Sequence, residues 1–175
     1  MATFPATPVE RMPAPSEVAT EHGSACGANA WDRLSADESA AWTGFLQAQA
    51  DIELELANEL QATHGLSFSD YFALLALDRA PEGKLRMHDL AKPVRLTRSG
   101  LTRLVERLER AGLIERWRCA DDARGTEAAI TDAGRELLRE ASATHLAGVR
   151  RRFFERFSPA ELRLLAEQFG RLTAT

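Results

Sequence analysis

Cysteine is nearly missing from this chain: Cys26 and Cys119 are the only two in 175 residues. So far apart, they make no metal-ligand spacing and no disulfide framework, and a cytoplasmic protein with reduced thiols is expected. Histidine is sparse as well. His22, His64, His88 and His145 are scattered, and none stands at a ligand spacing from Cys, Asp or Glu, so no metal site is expected. The 11 glycines are dispersed, and none forms the glycine-rich loop that cradles a phosphate. No nucleophile stands with a base to activate it. The residues therefore point away from an enzyme, with no catalytic residue and no cofactor. Apolar runs are far shorter than a bilayer span, so no membrane segment is expected. The first twenty residues have no basic region followed by an apolar block, so no secretory signal is expected either.

Net positive charge is also lacking, since the formal charge is −4. That value alone disfavours a nucleic-acid partner, but its distribution reverses the inference. Residues 84–124 hold eleven basic residues against six acidic ones, a net of +5, which leaves −9 for the rest. A basic block inside an acidic protein is the footprint of a local phosphate-binding surface.

At the centre of that block lies LTRSGLTRLVERLERAGL, residues 96–113. Leu101, Leu104, Val105, Leu108 and Ala111 recur at helical spacing, which gives one inward stripe. Thr97 suits the N-cap, and Gly112 suits the glycine just past the helix end. The other face carries Arg98, Ser99, Thr102, Arg103, Glu106, Arg107 and Arg110, with little bulk at Gly100. Short donors and guanidiniums near a helix N-terminus suit entry into a major groove. The alternative is a solvated helix with i,i+4 pairs such as Glu106–Arg110.

The neighbouring segments decide between these readings. Residues 1–34 are rich in Pro, Ala, Gly and Ser and are expected to form a flexible arm. Ser35–Glu38 is a capping-box signature that opens a long helix to about Thr63. Ser67–Asp70 opens another, to about Arg79. Leu85-Arg86 suits a short strand, and a brief helix from about His88 ends at Pro93. Leu113–Cys119 and Glu127–Ile130 read as two strands around a charged turn. Thr131 caps a helix expected to run to about Phe157, and Ser158-Pro-Ala-Glu161 starts the last one. The fold class is mainly α with a small β-hairpin wing. A winged helix-turn-helix core at 67–130 is flanked by helices at 35–66 and 131–175. Those helices have larger apolar faces than the core can cover, so they are expected to form a homodimer; the alternative is a monomeric helical hairpin.

These residues resemble the MarR family of bacterial transcription regulators. The matching stretches are Leu90-Ala91, Leu96 to Arg116, Asp122-Ala-Arg124 and Ile130-Thr-Asp-Ala-Gly134. The resemblance implies an obligate dimer on double-stranded DNA at a pseudo-palindromic operator, each subunit placing one helix in a major groove. It also implies a wing arginine in the minor groove, Arg124, oriented by Asp122. Pro93 stands where a residue of the third helix is usual, and Ala123 replaces a commoner arginine.

Thr97, Arg98, Ser99, Thr102 and Arg103 are the candidates for base and phosphate contacts. Lys92 and Arg95, in the turn before, are phosphate candidates; Arg118 is either phosphate-facing or a solvated strand residue. The resemblance further implies a small-molecule effector, phenolic or purine-like, in a cleft between the dimerisation helices and the core. Trp42, His64 and Tyr71 are the candidates to line it, with core packing the alternative for Trp42 and Tyr71. The function expected is a transcriptional repressor released by such an effector. The alternative is a winged-helix protein–protein interaction module without DNA binding, which would not need +5 concentrated in one segment.

Overall fold

The computed structural model describes residues 30–94, 96–118 and 126–173, with Ala30, Arg118 and Thr173 described in their backbone alone. The chain divides into two units, Met1–Ala41 and Trp42–Thr175. In the first, a 3₁₀ turn at Ala30–Arg33 precedes the start of α1 (Ala36–His64). Ser35 and Glu38 close a reciprocal cap there: Ser35 N–H donates to Glu38 Oε2 at 2.8 Å, and Glu38 N–H donates to Ser35 Oγ at 3.2 Å.

The second unit holds α2 (Phe68–Arg79), β1 (Lys84–Arg86), α3 (Met87–Val94) and α4 (Arg98–Arg110). β2 (Ile114–Arg118), β3 (Thr126–Ile130), α5 (Asp132–Arg152) and α6 (Pro159–Thr173) follow. The strands form one antiparallel sheet in the order β1-β3-β2, with Leu85 opposite Ala128 and Ile114 opposite Ile130. Leu60, Leu74, Leu77, Leu90, Leu104 and Leu108 are fully buried, so the core draws on α1, α2, α3 and α4 together. The inward stripe of α4 packs against α2, α3 and β2.

Local chemistry sets the joints. Gly112 has φ +72°. Its N–H donates to the Glu109 carbonyl at 2.9 Å, and Leu113 N–H donates to the Leu108 carbonyl at 3.0 Å. That pair of bonds is a Schellman ending, and only a residue tolerant of positive φ allows it. The chain then re-enters the core at once, because Thr131 Oγ1 donates to the Gly112 carbonyl at 2.8 Å and accepts from Gly134 N–H at 3.1 Å. The start of α5 is thus tied to the end of α4.

Two boundaries differ from expectation. Pro93 lies inside α3, which runs on to Val94. In the last turn its ring removes a single backbone donor, a loss the buried Leu90 and Val94 offset. The helix after Thr131 ends at Arg152 rather than near Phe157. Phe153 leaves helical geometry at φ −122°, ψ −67°, and a 3₁₀ turn follows at Phe154–Arg156. Phe153 packs edge-on to Phe154 and Phe157, with centroids 5.7 and 5.3 Å apart. This small aromatic knot gives the turn contacts of its own.

Candidate nucleic-acid interface

Thr97 stands in extended geometry, and its Oγ1 accepts from Gly100 N–H at 3.2 Å. The first turn of α4 is thereby held with its other amides pointing outward, an arrangement that favours anions. Arg98, Ser99, Thr102, Arg103 and Glu106 are all exposed, while Leu101, Leu104, Val105 and Leu108 are buried. The hydroxyls are held close to the backbone. Thr102 Oγ1 donates to the Arg98 carbonyl at 3.0 Å, and the Thr97 and Ser99 hydroxyls lie 3.2 Å apart.

The cations divide into two sets. Among the described residues, Arg98 and Arg103 make no ion pair. Arg107, one turn past Arg103, instead reaches Asp70 Oδ1 at 2.5 Å. Arg116 pairs with Glu109 at 2.5 Å, which holds the Glu109 carboxyl below its ordinary range. Arg110 Nε donates to the Glu106 carbonyl at 3.2 Å. Lys92 pairs with Asp89 at 3.0 Å, and that hydrogen bond lowers the Asp89 pKa. Among the described residues, Arg98, Arg103 and Arg110 on α4 therefore carry charge without an ion pair, and the first two lie on its N-terminal half. Arg107 belongs to a tertiary pair and not to the free outward face on which its sequence position places it.

Arg95, Cys119, Asp122 and Arg124 lie outside the described residues, as does the side chain of Arg118. The wing contacts expected of them remain readings of the sequence.

The three effector candidates do not converge. His64 Nε2 is 2.8 Å from Thr144 Oγ1, and the buried Tyr71 places its hydroxyl 3.4 Å from Ser142 Oγ. Both are thus held against one stretch of α5. Trp42 lies twenty-two positions before His64 on the same helix, about 33 Å away at 1.5 Å per residue. Its ring stacks near Phe45 at 6.0 Å. A cleft within one protomer cannot be lined by all three.

A second histidine, His145, packs beside Tyr71. The His145 ring lies 4.8 Å from Tyr71, 5.9 Å from Phe68 and 6.1 Å from Phe72. Its Nδ1 is buried without a hydrogen-bond partner, and burial lowers its pKa. Asp70 was legible only as a helix cap. Nothing within three residues of either signals these contacts, which depend on how α2, α4 and α5 cross.

Elsewhere, an open groove of about 440 Å³ lies beside the C-terminal end of α4, with Trp117 and Glu115 on its wall. It is distant from Arg98. Among the described residues no helix is long and apolar enough to cross a membrane, and no cluster of three His, Cys, Asp or Glu forms.

Comparison with known proteins places this geometry among regulators. A family model described as MarR family matches residues 64–125. The transcriptional repressor MprA of Escherichia coli K12 is 29% identical over 87 residues, half of this chain and 49% of MprA. The match thus spans about half the length of that curated relative. Two solved structures from Streptomyces coelicolor are similar over more of their length. Sco3205, a MarR family transcriptional regulator in complex with DNA, is 35% identical with a TM-score of 0.73, covering 79% of this chain and 87% of its own. AbsC, a MarR family transcriptional regulator, is 32% identical with a TM-score of 0.73, covering 79% and 93%.

Proposed function

The chain belongs to the MarR family of transcriptional regulators, and from that premise we propose that it is a dimeric, sequence-specific DNA-binding repressor released by a small-molecule effector. One observation carries the DNA reading. Arg98 and Arg103 stand exposed and without ion pairs among the described residues, at the amide-rich end of a helix whose opposite face is fixed in the core. A duplex supplies the anions this surface lacks. Ser99 and Thr102 then contact phosphate or base edges, Thr97 holds the turn, and Lys92 and Arg95 reach the flanking backbone. In the same reading Arg118 and Arg124 extend the contact along the wing, and Asp122 orients Arg124. MprA is named as a repressor and Sco3205 was solved with DNA; the same two activities are proposed here.

A two-fold dimer sets the form of the site: a pseudo-palindrome with half-sites about one helical turn apart. Its effector, phenolic or purine-like, is proposed to act near His64 and Tyr71, where α5 hydroxyls hold both side chains. The protein works in the cytoplasm, with neither metal nor cofactor, and catalyses no reaction.

The test is a fluorescence-anisotropy titration of wild type, Arg98→Ala and Arg103→Ala. The probes are a duplex that the wild type enriches from a random pool and a scrambled duplex. Loss of a guanidinium that reads guanine costs about 1–3 kcal/mol on the enriched duplex, and loss of one that holds phosphate lowers the salt slope by about one. If both variants bind as wild type does, α4 does not enter the groove, and a protein-interaction module becomes the better reading.

A further inference from the structure

Asp70 is the buried charged side chain of the described core, only 3% exposed. Both of its oxygens are engaged. Oδ2 accepts from Ser67 N–H at 3.1 Å and from Ser67 Oγ–H at 2.7 Å, which closes the cap of α2. Oδ1 accepts from Arg107 Nη2 at 2.5 Å. A carboxylate held by three donors on two elements does not swing, so the guanidinium it grips is fixed as well.

Arg107 is the residue four past Arg103, on the same face of α4. We propose that Asp70 is a positioning residue for DNA recognition: by holding Arg107 it sets the rotation of α4 about its own axis and thereby aims Arg103. The inference rests on the reading that α4 enters the groove. The apolar stripe of α4 fixes which face looks inward, and the Asp70–Arg107 bond adds a directional restraint on the fine angle. Burial is non-directional, and a stripe of four aliphatic side chains tolerates some roll with little change in buried area. A short charge-assisted bond to an immobile carboxylate is directional, and roll stretches it at once. The pair has a second consequence. Arg107 freed from Asp70 would offer its charge to any phosphate, adding affinity blind to sequence. Asp70 thus favours discrimination in two ways, by aiming one arginine and by withholding another.

The experiment uses the full chain as wild type, Asp70→Asn, Arg107→Gln and the double variant. Each is titrated against the enriched duplex and a scrambled duplex of the same composition, with thermal melting measured alongside. Asn keeps an oxygen for the Ser67 cap. Arg107→Gln alters a half-exposed side chain, so it reports even where Asp70→Asn folds poorly. The enriched-to-scrambled affinity ratio should fall by about fivefold or more in each single variant and no further in the double, because either change removes the same contact. A clamp that only stabilises the fold would lower the melting temperature and leave the ratio at its wild-type value, which overturns the proposal. Losses that multiply in the double variant overturn it too. A wild type that enriches no duplex overturns the DNA-binding reading, and this inference with it.

Discussion

The carbonyl oxygen of Leu113 occupies the space that a side chain on Gly134 would need. A Cβ there would overlap that oxygen and would also stand 2.9 Å from Ile130 Cγ1. The third residue of α5 therefore lies directly on the chain that leaves α4, and only a bare Cα fits. Thr131, three residues earlier, bonds both partners of this contact: its Oγ1 accepts from Gly134 N–H at 3.1 Å, and its own N–H donates to the Leu113 carbonyl at 3.1 Å. The Thr-x-x-Gly run at the head of α5 is thus a splice between the end of α4 and the start of α5.

Gly134→Ala should accordingly destabilise the protein by about 1–3 kcal/mol, the usual range for overpacking a core. The obstructing atom is backbone and cannot rotate away. A urea midpoint equal to that of wild type would show that the splice yields without cost.

How much of this was legible in the sequence depended on distance along the chain. The capping pairs Ser35–Glu38, Ser67–Asp70 and Ser158–Glu161 are each written within four consecutive residues, and all three form. The inward stripe and the ending of α4 are likewise local, so that helix was placed to within a residue. The Arg107–Asp70 pair spans 37 positions, and Arg152 reaches Glu55 across 97. Such pairs depend on where helices cross, which no spacing rule encodes. Helical spacing accordingly puts Arg107 with the outward residues of α4 and says nothing of Asp70. The close crossing of α1 and α5 at Gly148, where a Cβ would stand 2.5 Å from Leu56 Cδ2, was hidden for the same reason. The end of α5 was overrun because Phe153, Phe154 and Phe157 continue a helical apolar period even though the backbone turns there.

His145 predicts how stability follows pH. Burial among Phe68, Tyr71 and Phe72 lowers its pKa from the ordinary 6.5, so the folded chain favours the neutral ring. The unfolded chain protonates first as pH falls. Stability from this group is therefore complete above about pH 6.5 and is lost as pH drops below it, down to the folded pKa. The denaturation midpoint of wild type should fall between pH 7.5 and 5.5, and His145→Gln should flatten that slope. Equal slopes in the two proteins would place the titrating group elsewhere.

Exposed apolar side chains argue for the dimer. Trp42, Phe45 and Leu46 on α1 are 44–48% exposed, and Leu164 and Leu172 on α6 are 55% and 78% exposed. The Phe45 ring lies 6.4 Å from that of Phe169, so α1 and α6 meet at these two side chains. Soluble monomers seldom leave large apolar surface in water, and a second copy related by a two-fold axis would cover it with the same residues. An interface of the obligate class, about 2,000 Å² or more, is expected. Light scattering at micromolar concentration should give about twice the 19.3 kDa of the chain. Replacing Phe45 and Leu46 together with Glu should split the dimer, because each change recurs on both sides of the axis and brings like charges together in a dry contact. Operator binding should weaken in step, since a monomer engages one half-site alone and loses the effective concentration that links the two. A wild type that scatters as a stable monomer would refute the assembly. A double-Glu variant that stays dimeric would place the two-fold axis on a different face.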